Sequence, residues 1–312
     1  MTQATSFGSR STADQVLAGI DLTGKRVVVT GCSSGIGFET MSALGANGAH
    51  VIGLSRSLQG AKTACKRAGP SCTPVACDLA DLGSIAAAAA EAIRALDGPL
   101  DAIVANAGIA NLPTLQTRYG VELQFLVNHI GHFTLVNRLL GRMRNGTGRI
   151  VIVSDSAGIE RAPPQGIMFD NLDGRRFYEP RAFYGQSKLA NALFAKELSR
   201  RVSARGIVVN ALHPGATRGT GLDKRTSLRS RIARSAAWLF MRSAPRAAAT
   251  QALLAGSPLA SGISGEFWSN CQIAKGSPLL QDPGIAKRLW EVSDDIVARH
   301  GDFPPNPLRE AA

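Results

Sequence analysis

Short β-branched or aliphatic runs recur along the chain, separated by longer stretches of helical period. RVVVT (26–30), HVIGLS (50–55), TPVACDL (73–79), LDAIVANAG (100–108), GRIVIVSDS (148–156) and GIVVNALHPG (206–215) predict six strands, and GISGEFWSN (262–270) predicts a seventh. Between them, apolar residues spaced three and four apart predict helices, including a stretch from the glycine-rich turn after the first strand to about Gly48, an alanine-rich one around 85–93, and two long ones at 119–143 and 183–201. Strands alternating with helices mean right-handed βαβ units. The pattern therefore predicts an α/β doubly wound parallel sheet of Rossmann type, about seven strands with helices on both faces, in a single domain. Residues 1–24 look like an N-terminal arm with a short helix at 12–18, residues 25–301 the catalytic domain, and 302–312 a loose tail.

Composition narrows this picture. No window approaches the ~20 uninterrupted apolar residues of a membrane span, so integral membrane association is not expected. The N-terminus lacks the apolar core of a signal peptide, and the five cysteines show no CxxC pair. A disulfide framework and a zinc site are both disfavoured, and a reducing cytoplasm is the simplest compartment. The net charge of +12 raises nucleic acid as a partner, but it is concentrated: from Arg218 to Arg246 there are eight basic residues against Asp223 alone. A local feature of that kind is weak grounds for DNA binding, and no nucleic-acid partner is expected.

Candidate chemistry begins at the first strand–helix junction, Thr30-Gly31-Cys32-Ser33-Ser34-Gly35-Ile36-Gly37. Glycines there permit a tight turn and a close approach of the backbone to a diphosphate, which then sits against a helix N-terminus whose amides and dipole favour negative charge. Gly31, Ser33, Ser34, Gly35, Ile36 and Gly37 are the candidate phosphate-binding residues. The second strand ends in Leu54-Ser55-Arg56-Ser57, with no carboxylate for a ribose 2′-hydroxyl and with Arg56 suited to a 2′-phosphate. NADP(H) is thus favoured, with NAD(H) the alternative. Further along, Tyr184-Gly185-Gln186-Ser187-Lys188 puts a phenol and an ammonium on one helix face. A nearby cation lowers a tyrosine pKa from its ordinary value near ~10 and so fits it for proton transfer beside a hydride step.

Taken together, TGxxxGIG at 30–37, Asp78-Leu79, Asn106-Ala107-Gly108, Asn128, YxxxK at 184–188 and Pro214-Gly215 resemble the short-chain dehydrogenase/reductase family. VNHIGHF (127–133), SKLAN (187–191), FWSNC (267–271) and LWE (289–291) resemble its retinol-dehydrogenase-like and WW-domain-oxidoreductase-like branch. The resemblance implies that Tyr184 is the acid/base, that Lys188 holds the nicotinamide ribose and depresses the tyrosine, and that Asn128 interrupts its helix to position a water in a relay to Lys188. It further implies that Asp78 and Leu79 flank the adenine, that Asn106, Ala107 and Gly108 line the adenosine ribose, and that Pro214, Gly215 and Thr217 or Thr220 meet the nicotinamide. A homo-oligomer, dimer or tetramer, built on the helices at 119–143 and 183–201 is implied too.

One position departs from the family pattern. Its substrate-orienting serine aligns with Asp155, between Ser154 and Ser156. Either a bulge puts Ser156 in that role, or Asp155 acts as a neutral donor with a pKa raised by burial beside a phenol, or the site is weakened. Strand alternation disfavours Ser154 and leaves Ser156 preferred. His129, His132 and His213 have no carboxylate at a ligand spacing, and no metal is expected. The segment 216–246 would form the substrate loop or lid. The function this predicts is NAD(P)(H)-dependent interconversion of an alcohol and its carbonyl on a fairly apolar small molecule; the alternatives are carbon–carbon double-bond (enone) reduction or a non-catalytic dinucleotide sensor.

Overall fold

The computed structural model describes residues 5–215, 243–300 and 308. Strand β1 (Arg26–Thr30) sends Val28 to one face of the sheet and Val27 and Val29 to the other, all buried. That alternation repeats in β2 (His50–Ser55), β3 (Cys72–Ala76), β4 (Ala102–Ala105), β7 (Arg149–Val153) and β8 (Val208–His213). Because both faces are covered, the strands read as continuous apolar runs and not as alternating ones. One face packs against α4 (Leu82–Ala95), α6 (Gly131–Leu139), α8 (Pro180–Arg201) and α10 (Pro283–His300). The other packs against α1 (Ala13–Leu17), α2 (Gly35–Ala46), α3 (Leu58–Ala68) and α9 (Ala244–Gly256).

The strand order is β10-β9-β8-β7-β4-β1-β2-β3. All pairings from β3 to β9 are parallel, and β10 (Gln272–Ile273) closes the edge antiparallel to β9 (Phe267–Ser269). The doubly wound sheet is as the pattern predicts, with eight strands where it gave about seven. Winding reverses between β1 and β4, which opens a crevice at the carboxyl edge of these strands.

Two predicted elements differ. The helix expected from Tyr119 begins only after a hairpin, β5 (Thr117–Arg118) and β6 (Val121–Glu122), whose turn residues Tyr119 and Gly120 both take positive φ, 56° and 70°. Two such residues make the tight turn that suits strand twist, and the 3.6-residue period conceals it. Helix α5 (Leu123–Phe125) follows, capped by the buried Glu122, and residues Leu126–Ile130 form a π-turn before α6. The predicted strands also overrun: 77–79, 106–108, 154–156 and 214–215 lie beyond their ends. Those residues line the crevice. The 302–312 tail falls outside the described residues except Leu308, whose carbonyl accepts from Arg201 at 2.8 Å. Among the described residues no helix is long and apolar enough to cross a membrane.

Candidate active site

The crevice is built from the turns that leave the parallel strands. After β1, Gly31 takes φ 71°, and its N–H and that of Cys32 both reach the Leu54 carbonyl, at 2.8 and 3.2 Å. The turn is thereby folded back over β2. Gly37 lies so near the Gly31 carbonyl and Asn106 Nδ2 that a Cβ there would collide with both. Ser34 is the N-cap of α2 but makes no capping bond with its side chain, and Ser33 and Ser34 are exposed. The N-terminal amides of a twelve-residue helix therefore face the crevice, which fits a diphosphate. Cys32 is fully buried and its thiol is pushed up to about 12 by that burial, so it packs beneath the turn as an inert group. Arg56 is exposed at the end of β2, and Asp78 follows β3 with its carboxylate accepting from the Ala80 N–H at 3.0 Å. Leu79 is buried against Gly131.

A clasp of hydrogen bonds ties the first turn to the fourth. Thr30 Oγ1 accepts from the N–H groups of Asn106 and Ala107 at 2.9 and 3.0 Å, and Asn106 Nδ2 donates to the Thr30 carbonyl at 2.9 Å. The fully buried His132 sets the polarity. Its Nδ1 lies 2.8 Å from the Asn128 carbonyl, which can only accept, so Nδ1 carries the proton. Nε2 then accepts from the Thr30 hydroxyl at 2.9 Å. His129 is turned the other way: Ser293 Oγ donates to the Leu289 carbonyl and accepts from His129 Nε2 at 2.8 Å. Burial lowers His132 to about 4 and His129 to about 3. Both rings are thus neutral in the folded protein and protonate near pH ~6.5 when unfolded. Since the unfolded chain binds the extra protons, stability is full above pH ~6.5 and falls as pH drops toward 4, by about 1.4 kcal/mol per pH unit for each ring. Urea midpoints measured between pH 7 and 4.5 should decline steeply, and the slope should halve in His129→Gln.

The π-turn brings Asn128 to the site. Its Nδ2 donates to the Ile109 carbonyl and to Ser187 Oγ, each at 2.9 Å, and its Oδ1 accepts from the Ile109 N–H at 2.8 Å. Lys188 is 5% exposed and its Nζ donates to the Val153 carbonyl at 3.3 Å. A Cβ on Gly108 would lie 3.1 Å from Asn128 Oδ1 and 3.4 Å from Lys188 Nζ, so both polar groups converge on the space that this glycine keeps open. Burial lowers the ammonium to about 8, with Asp155 opposing the shift. Pro214 and Gly215 stand partly exposed at the end of β8; Thr217, Thr220 and most of the basic 218–246 segment, where a lid is expected from sequence, lie outside the described residues.

Asp155 lies at the centre. Tyr184 donates its hydroxyl to Asp155 Oδ2 at 2.9 Å, and Asp155 Oδ1 lies 3.1 Å from His213 Nδ1. Burial works to raise the Asp155 pKa, but the hydrogen bond and charge of His213, the Tyr184 hydrogen bond and the Lys188 charge outweigh it and hold it below the usual carboxylate range. The carboxyl is therefore not the neutral group that burial alone would make. Tyr184 moves the other way as well: burial, then the Asp155 charge and hydrogen bond, push the phenol well above its ordinary value. The depression expected from Lys188 does not prevail: burial, the largest cause, and the carboxylate in direct contact both raise the phenol. Ser154 Oγ donates to the Lys188 carbonyl at 2.6 Å and fastens α8 to β7. Ser156 opens the short helix α7 (Ser156–Ile159), and its N–H reaches His213 Nδ1 at 3.3 Å.

Ser187, Thr30 and the His213–Asp155 contact are absent from the expectations drawn from sequence. Thr30 alone carried a signal, a polar side chain ending an apolar strand inside the glycine motif.

A doubly wound sheet with an open helix N-terminus, a folded-back glycine turn and a Tyr–Lys–Asn group at its carboxyl edge is the framework of a dinucleotide-dependent oxidoreductase. Residues 25–168 match the short chain dehydrogenase family. Human retinol dehydrogenase 14 is 34% identical over 88% of this chain and 86% of its own length, and human WW domain-containing oxidoreductase is 35% identical over 93% and 72%. A Burkholderia cenocepacia short chain dehydrogenase whose structure was determined in complex with NADP is 28% identical, with a TM-score of 0.63 over 79% of this chain and 96% of that one. The chain belongs to the short-chain dehydrogenase/reductase family, in its retinol-dehydrogenase-like and WW-domain-oxidoreductase-like branch.

Proposed function

We propose that the protein interconverts an alcohol and its carbonyl on a fairly apolar small molecule with NADP(H). The observation that carries this reading is the convergence of buried Lys188 and Asn128 on the opening kept by Gly108, with the Tyr184 ring 5.8 Å from Lys188 Nζ one helical turn away. The amides at the start of α2, with Ser33, Ser34, Gly35 and Ile36, would hold the diphosphate. Asn106 and Ala107 would line the ribose, Lys188 would donate to ribose hydroxyls, and Pro214 and Gly215 would face the nicotinamide. When bound, that ring supplies or accepts a hydride. Tyr184 moves the proton: its O–H gives a proton to a substrate oxygen in reduction, and its oxygen receives one from a substrate hydroxyl in oxidation. Arg56, without an acidic residue beside it, supports a 2′-phosphate on the cofactor. The name of one relative, a retinol dehydrogenase, supports an apolar alcohol as substrate.

Absorbance at the nicotinamide band, followed over aliphatic, aryl and steroid-like alcohols and ketones with NADPH and NADH in parallel, tests this reading. We expect turnover of at least one apolar carbonyl or alcohol, faster with the phosphorylated cofactor, and loss of that preference in Arg56→Asp. Reduction of enones at carbon, or cofactor binding with no turnover across the panel, would reject it.

A further inference from the structure

We propose that α10 fills the seat that a second copy of this chain would take on α6 and α8, and that the protein is a monomer whose site-bearing helices are braced by its own chain. A homo-oligomer joined through the helices at 119–143 and 183–201, which the family resemblance implies, needs an apolar face left open on them. Neither helix has one. In α6 every residue except Arg138 is buried, and in α8 every residue from Gly185 to Leu198 except Lys196 is buried. The large apolar side chains exposed among the described residues, Leu58, Leu115, Phe177 and Leu259, all lie elsewhere. A stable pair of subunits hides roughly 800 Å² on each, centred on apolar side chains. Here that surface is already covered.

The cover is one amphipathic helix. In α10, Ala286, Leu289, Trp290, Ser293 and Asp294 recur at steps of three and four and are buried. Trp290 lies against Phe133 of α6 and Phe194 of α8, with ring centroids 5.0 and 5.8 Å away. The Arg201 guanidinium sits 4.3 Å from the same ring, so the indole is held on several sides. Ser293 Oγ accepts from His129 Nε2 at 2.8 Å, which adds a polar tie at the centre of the contact. Both ends are fixed as well. Asp282 Oδ1 accepts from the Gly284 and Ile285 N–H groups at 2.8 and 3.2 Å, and the His300 ring stands 5.4 Å from Tyr119 in the hairpin before α5.

The outward side of α10 is of a different kind. Lys287, Arg288, Glu291, Asp295 and Arg299 are all exposed there. Charges of both signs are depleted at the centre of protein interfaces and common on solvated surfaces. The chain has therefore exchanged an apolar face for a charged one. A two-fold pair uses the same patch on both copies, so one helix laid over that patch blocks both sides of the contact. The cover also reaches the site: His129 is next to Asn128 in the π-turn, and its bond to Ser293 supports that turn from behind. The support comes from within one chain.

Two measurements on the whole chain test this, and neither needs a substrate. Sedimentation velocity at micromolar protein and at a concentration about 100-fold higher should give the mass of one chain in both. A particle of two or more chains would overturn the proposal. The second measurement uncovers the face. Trp290→Glu places a charge between Phe133 and Phe194, and amide exchange in α10 should quicken by about ten-fold or more as the helix lifts. The mass of this variant should then climb with concentration. Glu291→Lys, on the outward side, should change neither readout. If Trp290→Glu does not fold, the milder Trp290→Ala serves for the same two readouts. An α10 that lifts while the chain stays single at every concentration would show that the face attracts no second copy, and would reject the proposal.

Discussion

Tyr184→Phe should lower turnover by about 10²–10⁴-fold, the range expected when a positioned proton donor is removed, while leaving cofactor affinity nearly unchanged. Among the described residues the hydroxyl makes one hydrogen bond, to Asp155 Oδ2, and the ring lies beside Gly158, whose added Cβ would meet Tyr184 Cε1 at 2.9 Å. Phenylalanine keeps that packing and removes only the O–H. The structural cost is small for a partly exposed pair, because Asp155 retains His213 and water. Comparing kcat in single turnover with cofactor binding by fluorescence checks the split. Equal activity in the variant would remove Tyr184 from the chemistry.

Lys188→Met should abolish the same activity and make the protein more stable. The ammonium is buried, has no carboxylate within salt-bridge distance among the described residues, and donates to the Val153 carbonyl at 3.3 Å. Its lowering from 10.5 to about 8 measures the cost of keeping it charged. That cost is about 3 kcal/mol, present in full below pH ~8 and relieved as pH rises toward 10.5, because in this window the unfolded chain binds more protons than the folded one. An apolar side chain of similar length escapes the cost. Denaturant unfolding at pH 7 should show the variant more stable by an amount of this order, with the gap closing as pH rises above 8. A destabilised variant would mean that the ammonium is a net structural tie. A lysine that carries this cost in every molecule is no aid to folding.

Much of this was legible in the chain because local chemistry forces it. A β-branched run followed by glycines can only leave a strand tightly, and Gly31 and Gly37 do what the spacing predicts. The four-residue step from Tyr184 to Lys188 put both on one helix face. Three things were out of reach. Tyr119 and Gly120 occupy a helical apolar pattern yet form a hairpin, since a pair of left-handed residues leaves no periodic trace. Strand alternation governed Ser154 but ended there, so the roles of Asp155 and Ser156 depended on backbone geometry after the strand. Finally, the direction of the Tyr184 shift depends on burial and then on Asp155, which follows β7 and meets the tyrosine only when α8 packs on that strand. Sequence spacing along one helix sees the lysine and misses the carboxylate.

The wound-open turn at Leu126–Ile130 has a consequence for how the chain can vary. It admits an extra residue into the helical path, and the Gly131 N–H accordingly bonds five residues back, to Leu126. Trimming one position there would restore even winding and swing the preceding face by about 100°, carrying the amide of Asn128 away from Ile109 and Ser187. This stretch behaves as a spacer whose residue count, more than its composition, sets where Asn128 points.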